Sequence, residues 1–189
     1  MPENIYIRVM VNMLFNAIET ERLFLKNISI DDRNFIFNQF SDDVVNRYLF
    51  DAEPLAKIED ADEIINFYIQ PEPRLQHRWI IIRKSDGIRM GTCGFHCWNQ
   101  TESTVDVGYD LKESFWRNGY MHEAMKEIIQ FAIDKMHIKE INACIYLDNQ
   151  RSINLVENLG FILSGSSYEL FRDEKYLHNI YSLYLDNLA

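Results

Sequence analysis

The sequence predicts an α+β fold: a central, twisted, mostly antiparallel mixed sheet flanked by helices. Three observations carry this. A D-G turn joins two strand-like runs, 78–84 and 88–98, and a third alternating run, STVDVGYDL (103–111), follows directly. A long segment with helical periodicity covers 119–136. A strand–helix–strand series then occupies 140–170.

Taken in order, RLFLKNI (22–28) alternates as a strand. Ser29 or Asp31 can cap a helix running to about Phe40. DADEIINFYI (60–69) has an acidic first turn, which suits the positive end of a helix dipole, and Pro71 and Pro73 stop it. The runs 78–84, 88–98 and 103–111 form an antiparallel meander. In 119–136, Met121, Met125, Ile128, Ile129, Ala132 and Ile133 share one stripe, with Glu123, Lys126, Glu127 and Asp134 largely off it. EINACIYL (140–147) is a strand. The helix over 149–159 stops at Gly160, a residue free to take the left-handed conformation that ends helices. Two further strands, 161–170 and 179–185, close the chain.

The 189 residues suit a single domain over 18–189 behind an N-terminal extension, 1–17; Met13 is an alternative start to Met1. The net charge of −10 argues against sequence-independent nucleic-acid binding, which requires a positive field. It leaves local anion sites open and favours cationic partners such as amines. Three cysteines, Cys93, Cys97 and Cys144, give no closed disulfide framework and suit a reducing cytoplasm. No apolar run reaches the ~18 residues of a membrane span.

The stretch WRNGYM (116–121) puts one glycine where a strand-like run hands over to a helix. Helix N-termini carry unpaired N–H groups and a positive dipole, so a diphosphate can bind there without a lysine. A plain strand-to-helix turn explains the same spacing. CGFHC (93–97) looks metal-like, but on a regular strand Cys93 and Cys97 share one face and His96 the other, so no metal site is expected. His77, His122, His137 and His178 belong to no recognisable triad. Phe35, Tyr48, Phe50 and Tyr68 more simply pack or shape an acceptor cleft than bind a cofactor.

LDNQRSINLVENLGF (147–161), about thirty residues after WRNGYMHEAM, changes the weighing. The pair resembles the GNAT superfamily of N-acetyltransferases, and more narrowly the branch of ribosomal-protein serine and alanine N-terminal acetyltransferases. IETERLFLKNISIDD (18–32) is similar to that branch's opening, and GTCGFHCW followed by VDVGYDL to its central hairpin, so the resemblance covers nearly the whole chain. It implies an acetyl-CoA-dependent acyltransferase acting on a primary amine in a ternary complex, as a monomer or homodimer and without a metal.

It also implies roles. Main-chain N–H groups of Trp116, Arg117, Asn118, Gly119, Tyr120 and Met121 would hold the CoA diphosphate. Val107, Gly108 and Tyr109 would pair with the pantetheine arm and supply an oxyanion N–H. Asn149 would bond a pantetheine amide, and Ser152 would protonate the departing thiolate. Asp106 is the candidate for taking the amine proton or directing a water. Met121 stands where a small residue is usual and Arg117 where glycine is common, which would crowd the loop. Val156 replaces a tyrosine acid of some relatives, and Tyr168 is a distant alternative. The acceptor stays open between a protein α-amine and small-molecule amines such as polyamines, amino acids or antibiotics. A CoA-binding protein that kept the fold without turnover is the rival reading.

Overall fold

The computed structural model describes residues 14–49 and 52–185; Met1, Met13 and Phe50 lie outside them. Among these residues, eight strands form one sheet in the order β1-β2-β3-β4-β5-β6-β8-β7. They are β1 (Ile18–Glu19), β2 (Leu23–Asn27), β3 (His77–Arg83), β4 (Arg89–Asn99), β5 (Thr104–Leu111), β6 (Glu140–Tyr146), β7 (Ile162–Phe171) and β8 (Glu174–Tyr184). Five α-helices accompany them: α1 (Arg33–Phe40), α2 (Asp43–Asn46), α3 (Asp60–Tyr68), α4 (Tyr120–Met136) and α5 (Gln150–Asn158). Every pairing is antiparallel except β5 with β6, as the expected mostly antiparallel mixed sheet requires.

The parallel pair organises the molecule. It is joined only through Thr104↔Glu140, Val105↔Ile141 and Asp106↔Asn142. Beyond that point β5 stays with β4 as far as Leu111, while β6 stays with β8 as far as Tyr146. The two halves of the sheet part, and residues 107–111 keep one edge without a neighbouring strand among the described residues. Alternate N–H and C=O groups along that edge are available to a ligand.

Alternation along β5 sorts its side chains between the two layers. Val105 and Val107 join the main core with Trp79, Phe95 and the inner face of α4. Asp106, Gly108 and Asp110 face the other way, toward the layer of α1 and α3, whose smaller core contains Ile28, Ile36, Ala61, Ile65 and Tyr68. The inner face of α4 is the expected stripe with Ala124 and Met136 added and Ile133 only half-buried. Each large apolar side chain removed from water there contributes ~1.5–3 kcal/mol. Packing already includes Phe15, fully buried against Trp79 and Phe131, while Asn16 accepts from the Trp79 indole N–H at 2.9 Å.

Two elements, β1 and α2, had no counterpart in the sequence reading. The single-turn α2 follows Asp42, whose side chain accepts from the Val44 and Val45 amides. The last strand begins at Glu174, five residues before the expected start. Its turn, Arg172-Asp173, has φ of 51° and 62°. A two-residue turn of that kind ordinarily takes Asn-Gly, so Arg-Asp gives no sequence signal.

Candidate active site

A cleft of about 610 Å³ opens where β5 and β6 part. Tyr109 lines it from one face of β5 and Asp110 from the other, so the cleft passes through the gap in the sheet. Val44, Val45, Arg47, Tyr48 and Leu49, in and after α2, border one side. The loop before α4 and the first turns of α4 and α5 border the other. Of the expected site residues, Tyr109, Trp116, Arg117, Gly119, Tyr120, Met121, Asn149 and Ser152 line it. Val107 and Gly108 lie along the open edge of β5. Asn118 and Asp106 are not among the lining residues.

The loop is shaped by two left-handed residues. Arg117 has φ 61° and Gly119, the residue that starts α4, has φ 76°. The first intrahelical bond runs from the Glu123 amide to the Gly119 carbonyl at 3.0 Å, so the amides of the preceding helical residues have no partner within the helix. Met121, the residue expected to crowd the loop, is buried. It is 8% exposed, packs with the main core, and borders the cleft.

Charge around the loop is arranged for an anion. Glu123 in the first turn of α4 would repel one, but it is bound by Thr20, by the Arg22 amide at 2.8 Å and by Arg22 Nε at 2.6 Å. These contacts hold its carboxyl below the ordinary range against the opposing effect of burial. Arg22 also donates to the Asn118 carbonyl at 3.0 Å and stacks on Tyr120. Arg151 lies 4.0 Å over the Trp116 ring. Arg22 and Arg151 were not foreseen, because each acts from an element distant in sequence from the loop. The described lining contains Arg47, Arg117 and Arg151 against one carboxylate, Asp110. The cleft is therefore locally basic in a chain of net charge −10.

Asp110 is itself committed. It accepts from Gln39 at 2.6 Å, from the Thr92 amide at 3.1 Å, from the Thr92 hydroxyl, and from Arg78 at 3.2 Å. Burial raises its pKa, and Arg78 beside it pulls the other way. Removing one member of such a pair costs about 3–5 kcal/mol, so it ties β5 to α1 and β3 rather than serving as a free base.

On the other side, Asn149 starts α5: its side-chain oxygen accepts from the Ser152 amide at 3.3 Å. That places Ser152 in the first turn, where its Oγ lies 2.5 Å from the Tyr109 hydroxyl. Burial pushes the Tyr109 phenol up to about 12, against the lowering effect of the Ser152 contact, so it remains protonated. Val156 is fully buried, and Tyr168 is 66% exposed on β7, away from the lining residues.

Cys93, Cys97 and Cys144 form no disulfide. CGFHC does not keep the regular strand geometry expected of it. A bulge interrupts β4 after His96, where Cys97 and Trp98 stand against the single residue Val105, and Cys97 takes φ 54°. Regular alternation fails there. Cys97 turns toward His96, and both meet Asp106, with their ligand atoms within 4.8 Å of one another. Cys93 alone follows the expectation and is buried in the core.

The parted sheet and amide-lined loop can be set beside known proteins. The acetyltransferase (GNAT) domain profile matches residues 22–162. The chain belongs to the GNAT family of acetyltransferases. It is 31% identical over 173 residues to the uncharacterized N-acetyltransferase YoaA of Bacillus subtilis (strain 168), covering 90% of this chain and 97% of that protein. Its fold is similar to that of RimL, a ribosomal L7/L12 α-N-protein acetyltransferase solved with CoA, at a TM-score of 0.80 and 17% identity over 90% of this chain.

 The alignment takes in 99% of the RimL chain. A spermidine N-acetyltransferase from Vibrio cholerae, solved with CoA and spermine, has a TM-score of 0.76 at 15% identity, over 88% of this chain and 98% of that one.

This GNAT chain is an acetyl-CoA-dependent N-acetyltransferase, and its residues fit that co-substrate. The open edge of β5 offers main chain to an extended amide-bearing arm, and the α4 loop offers amides to a diphosphate. Three arginines, Arg22, Arg117 and Arg151, stand around that loop. When bound, acetyl-CoA supplies an acetyl thioester. No helix among the described residues is long and apolar enough to cross a membrane.

Proposed function

We propose that this GNAT enzyme acetylates the N-terminal α-amine of a protein, with ribosomal proteins as the substrate class, by direct transfer in a ternary complex in a reducing cytoplasm. The observation that carries the reading is the charge of the cleft. Its described lining holds Arg47, Arg117 and Arg151, and its one carboxylate is already bound by Arg78. A polyamine presents several cationic amines at once and gains from free carboxylates, which this lining does not offer. A peptide N-terminus brings one amine with carbonyls and side chains that tolerate the apolar and aromatic border of Val44, Val45, Tyr48 and Leu49.

The acid–base demand agrees. An α-amine, with pKa ~7.7–8.0, is partly neutral at physiological pH, whereas a lysine-type amine at ~10.4 is almost wholly charged. The α-amine asks little of a base. Asp106, on the face opposite Tyr109 and outside the cleft lining, acts in this reading through a water that carries the proton away. Ser152, in contact with Tyr109, gives a proton to the departing thiolate. Asn149 bonds the pantetheine arm, the main chain of Val107, Gly108 and Tyr109 pairs with it, and an amide of that strand faces the carbonyl oxygen.

The test is an acceptor panel of peptides with free or blocked N-termini, ribosomal proteins, spermidine, amino acids and aminoglycosides, scored by product mass and CoA thiol release. The expected result is one acetyl group on the α-nitrogen of the free peptides. Acetylated spermidine with unmodified peptides would overturn the proposal in favour of a polyamine enzyme.

A further inference from the structure

The bulge in β4 assembles a group of side chains of which only Asp106 has a part in the proposed acetyl transfer. His96, Cys97 and Asp106 bring an imidazole nitrogen, a thiol sulfur and a carboxylate oxygen within 4.8 Å of one another. The chain makes specific room for this. Gly108 has no side chain, and a Cβ there would come within 3.3 Å of the His96 ring, which lies over β5 beside Asp106. Cys97 takes a left-handed backbone, φ 54°, a conformation unfavourable for a residue with a Cβ. Without that turn its thiol would point to the face away from His96.

We propose that His96, Cys97 and Asp106 form a three-ligand site for a divalent d-block cation of the zinc class. The donor set is nitrogen, sulfur and oxygen, which suits a borderline-soft ion and disfavours magnesium or calcium, whose ligands are oxygen. Zinc holds such atoms at about 2.0–2.3 Å, so three of them on a tetrahedron stand roughly 3.3–3.7 Å apart. Closing from the observed spread takes about an ångström of side-chain movement at a half-exposed site. Three protein ligands leave the fourth position to water.

The alternative use of these residues, a thiol nucleophile, fits less well. The Cys97 thiol is hydrogen-bonded to Asp106, and burial together with that carboxylate holds its pKa above the ordinary value. A thiol kept protonated is a weak nucleophile. On metal binding that proton leaves for solvent, a metal–sulfur bond forms, and the cation replaces the proton between sulfur and carboxylate. The Asn142 amide also bonds Asp106, and Asn142 in turn accepts from Ser182 at 2.6 Å, which fixes the carboxylate from behind.

The test is titration of the reduced, untagged, full-length protein with Co²⁺ and then Zn²⁺. The expected result is one equivalent bound, with a near-ultraviolet sulfur-to-cobalt charge-transfer band that zinc displaces. Cys97→Ser should abolish the band, and His96→Gln and Asp106→Asn should each weaken binding at least ten-fold. Cys93→Ser and Cys144→Ser should leave the band in place. A band that survives in Cys97→Ser, or that disappears only in Cys144→Ser, overturns the assignment, as does wild-type binding no tighter than that of the folded His96→Gln protein. None of these readings depends on finding the amine acceptor.

Discussion

The Tyr109 hydroxyl lies 2.5 Å from Ser152 Oγ, joining the open edge of β5 to the first turn of α5 inside the cleft. The phenol stays protonated because burial pushes it up to about 12, so the pair holds its protons throughout the working range. Ser152→Ala is expected to lower kcat by about 10²-fold, the lower end of what a positioned acid contributes, with KM for acetyl-CoA little changed. Tyr109→Phe should reduce kcat by a smaller factor and add or remove no limb in the kcat–pH profile below pH 10. Steady-state thiol release checks both. A wild-type kcat in Ser152→Ala would remove the acid from this position.

Asn149 has two tasks that substitution can separate. As the residue that starts α5, it satisfies the Ser152 amide, and losing that contact costs ~1 kcal/mol. In the proposed complex it also bonds the pantetheine arm. Asn149→Ala should lose both stability and acetyl-CoA affinity. Asn149→Ser, which keeps a capping oxygen, should recover most of the urea midpoint but leave KM for acetyl-CoA raised. Equal recovery of both would mean that Asn149 only caps the helix.

Arg117 occupies a left-handed position where glycine is at ease. Arg117→Gly is therefore expected to raise stability by about 1 kcal/mol in urea unfolding. The same change removes a cation from the cleft, so KM for acetyl-CoA should rise and depend less steeply on salt. A variant that is less stable would show that the side chain's contacts outweigh the backbone strain.

His77 links the core to pH. It is buried, stacked on Phe15 at 4.4 Å, and bonded on both nitrogens. Arg74 donates to Nδ1 at 2.8 Å, and Nε2 donates to Asn27 at 3.2 Å, which fits the neutral ring. Burial first, and then the Arg74 charge, lower its pKa to about 2. The unfolded chain takes up this proton near pH 6.5 and the folded chain does not, so stability is complete above pH 6.5 and falls as pH drops toward 2, by up to ~1.4 kcal/mol per unit. His77→Gln should flatten the loss between pH 6.5 and 5 relative to wild type, measured as urea midpoints. Parallel curves for the two proteins would contradict this.

What the sequence made legible was periodic. The β3–β4–β5 meander, the stripe on α4, and Gly119 and Asn149 at the starts of α4 and α5 all rest on local patterns, and each stands where its pattern placed it. The missed features depend on contacts between distant residues. Arg22 reaches the α4 loop from the turn before β2, and the Asp110–Arg78 pair crosses from β5 to β3. The convergence of His96 with Cys97 went unseen because a bulge breaks the two-residue period on which strand reasoning depends. The cleft border in and after α2 is a short segment whose residues carry no periodic signal.

The three-residue seam from Thr104 to Asp106 has a mechanical consequence. Past it, no strand pairing joins β5 to β6 among the described residues, so an extended ligand threaded between them would act as a removable rung. Amides along 107–111 would then exchange with deuterium slowly in the loaded enzyme and quickly in the empty one. The enzyme's stiffness would track the supply of acetyl donor around it.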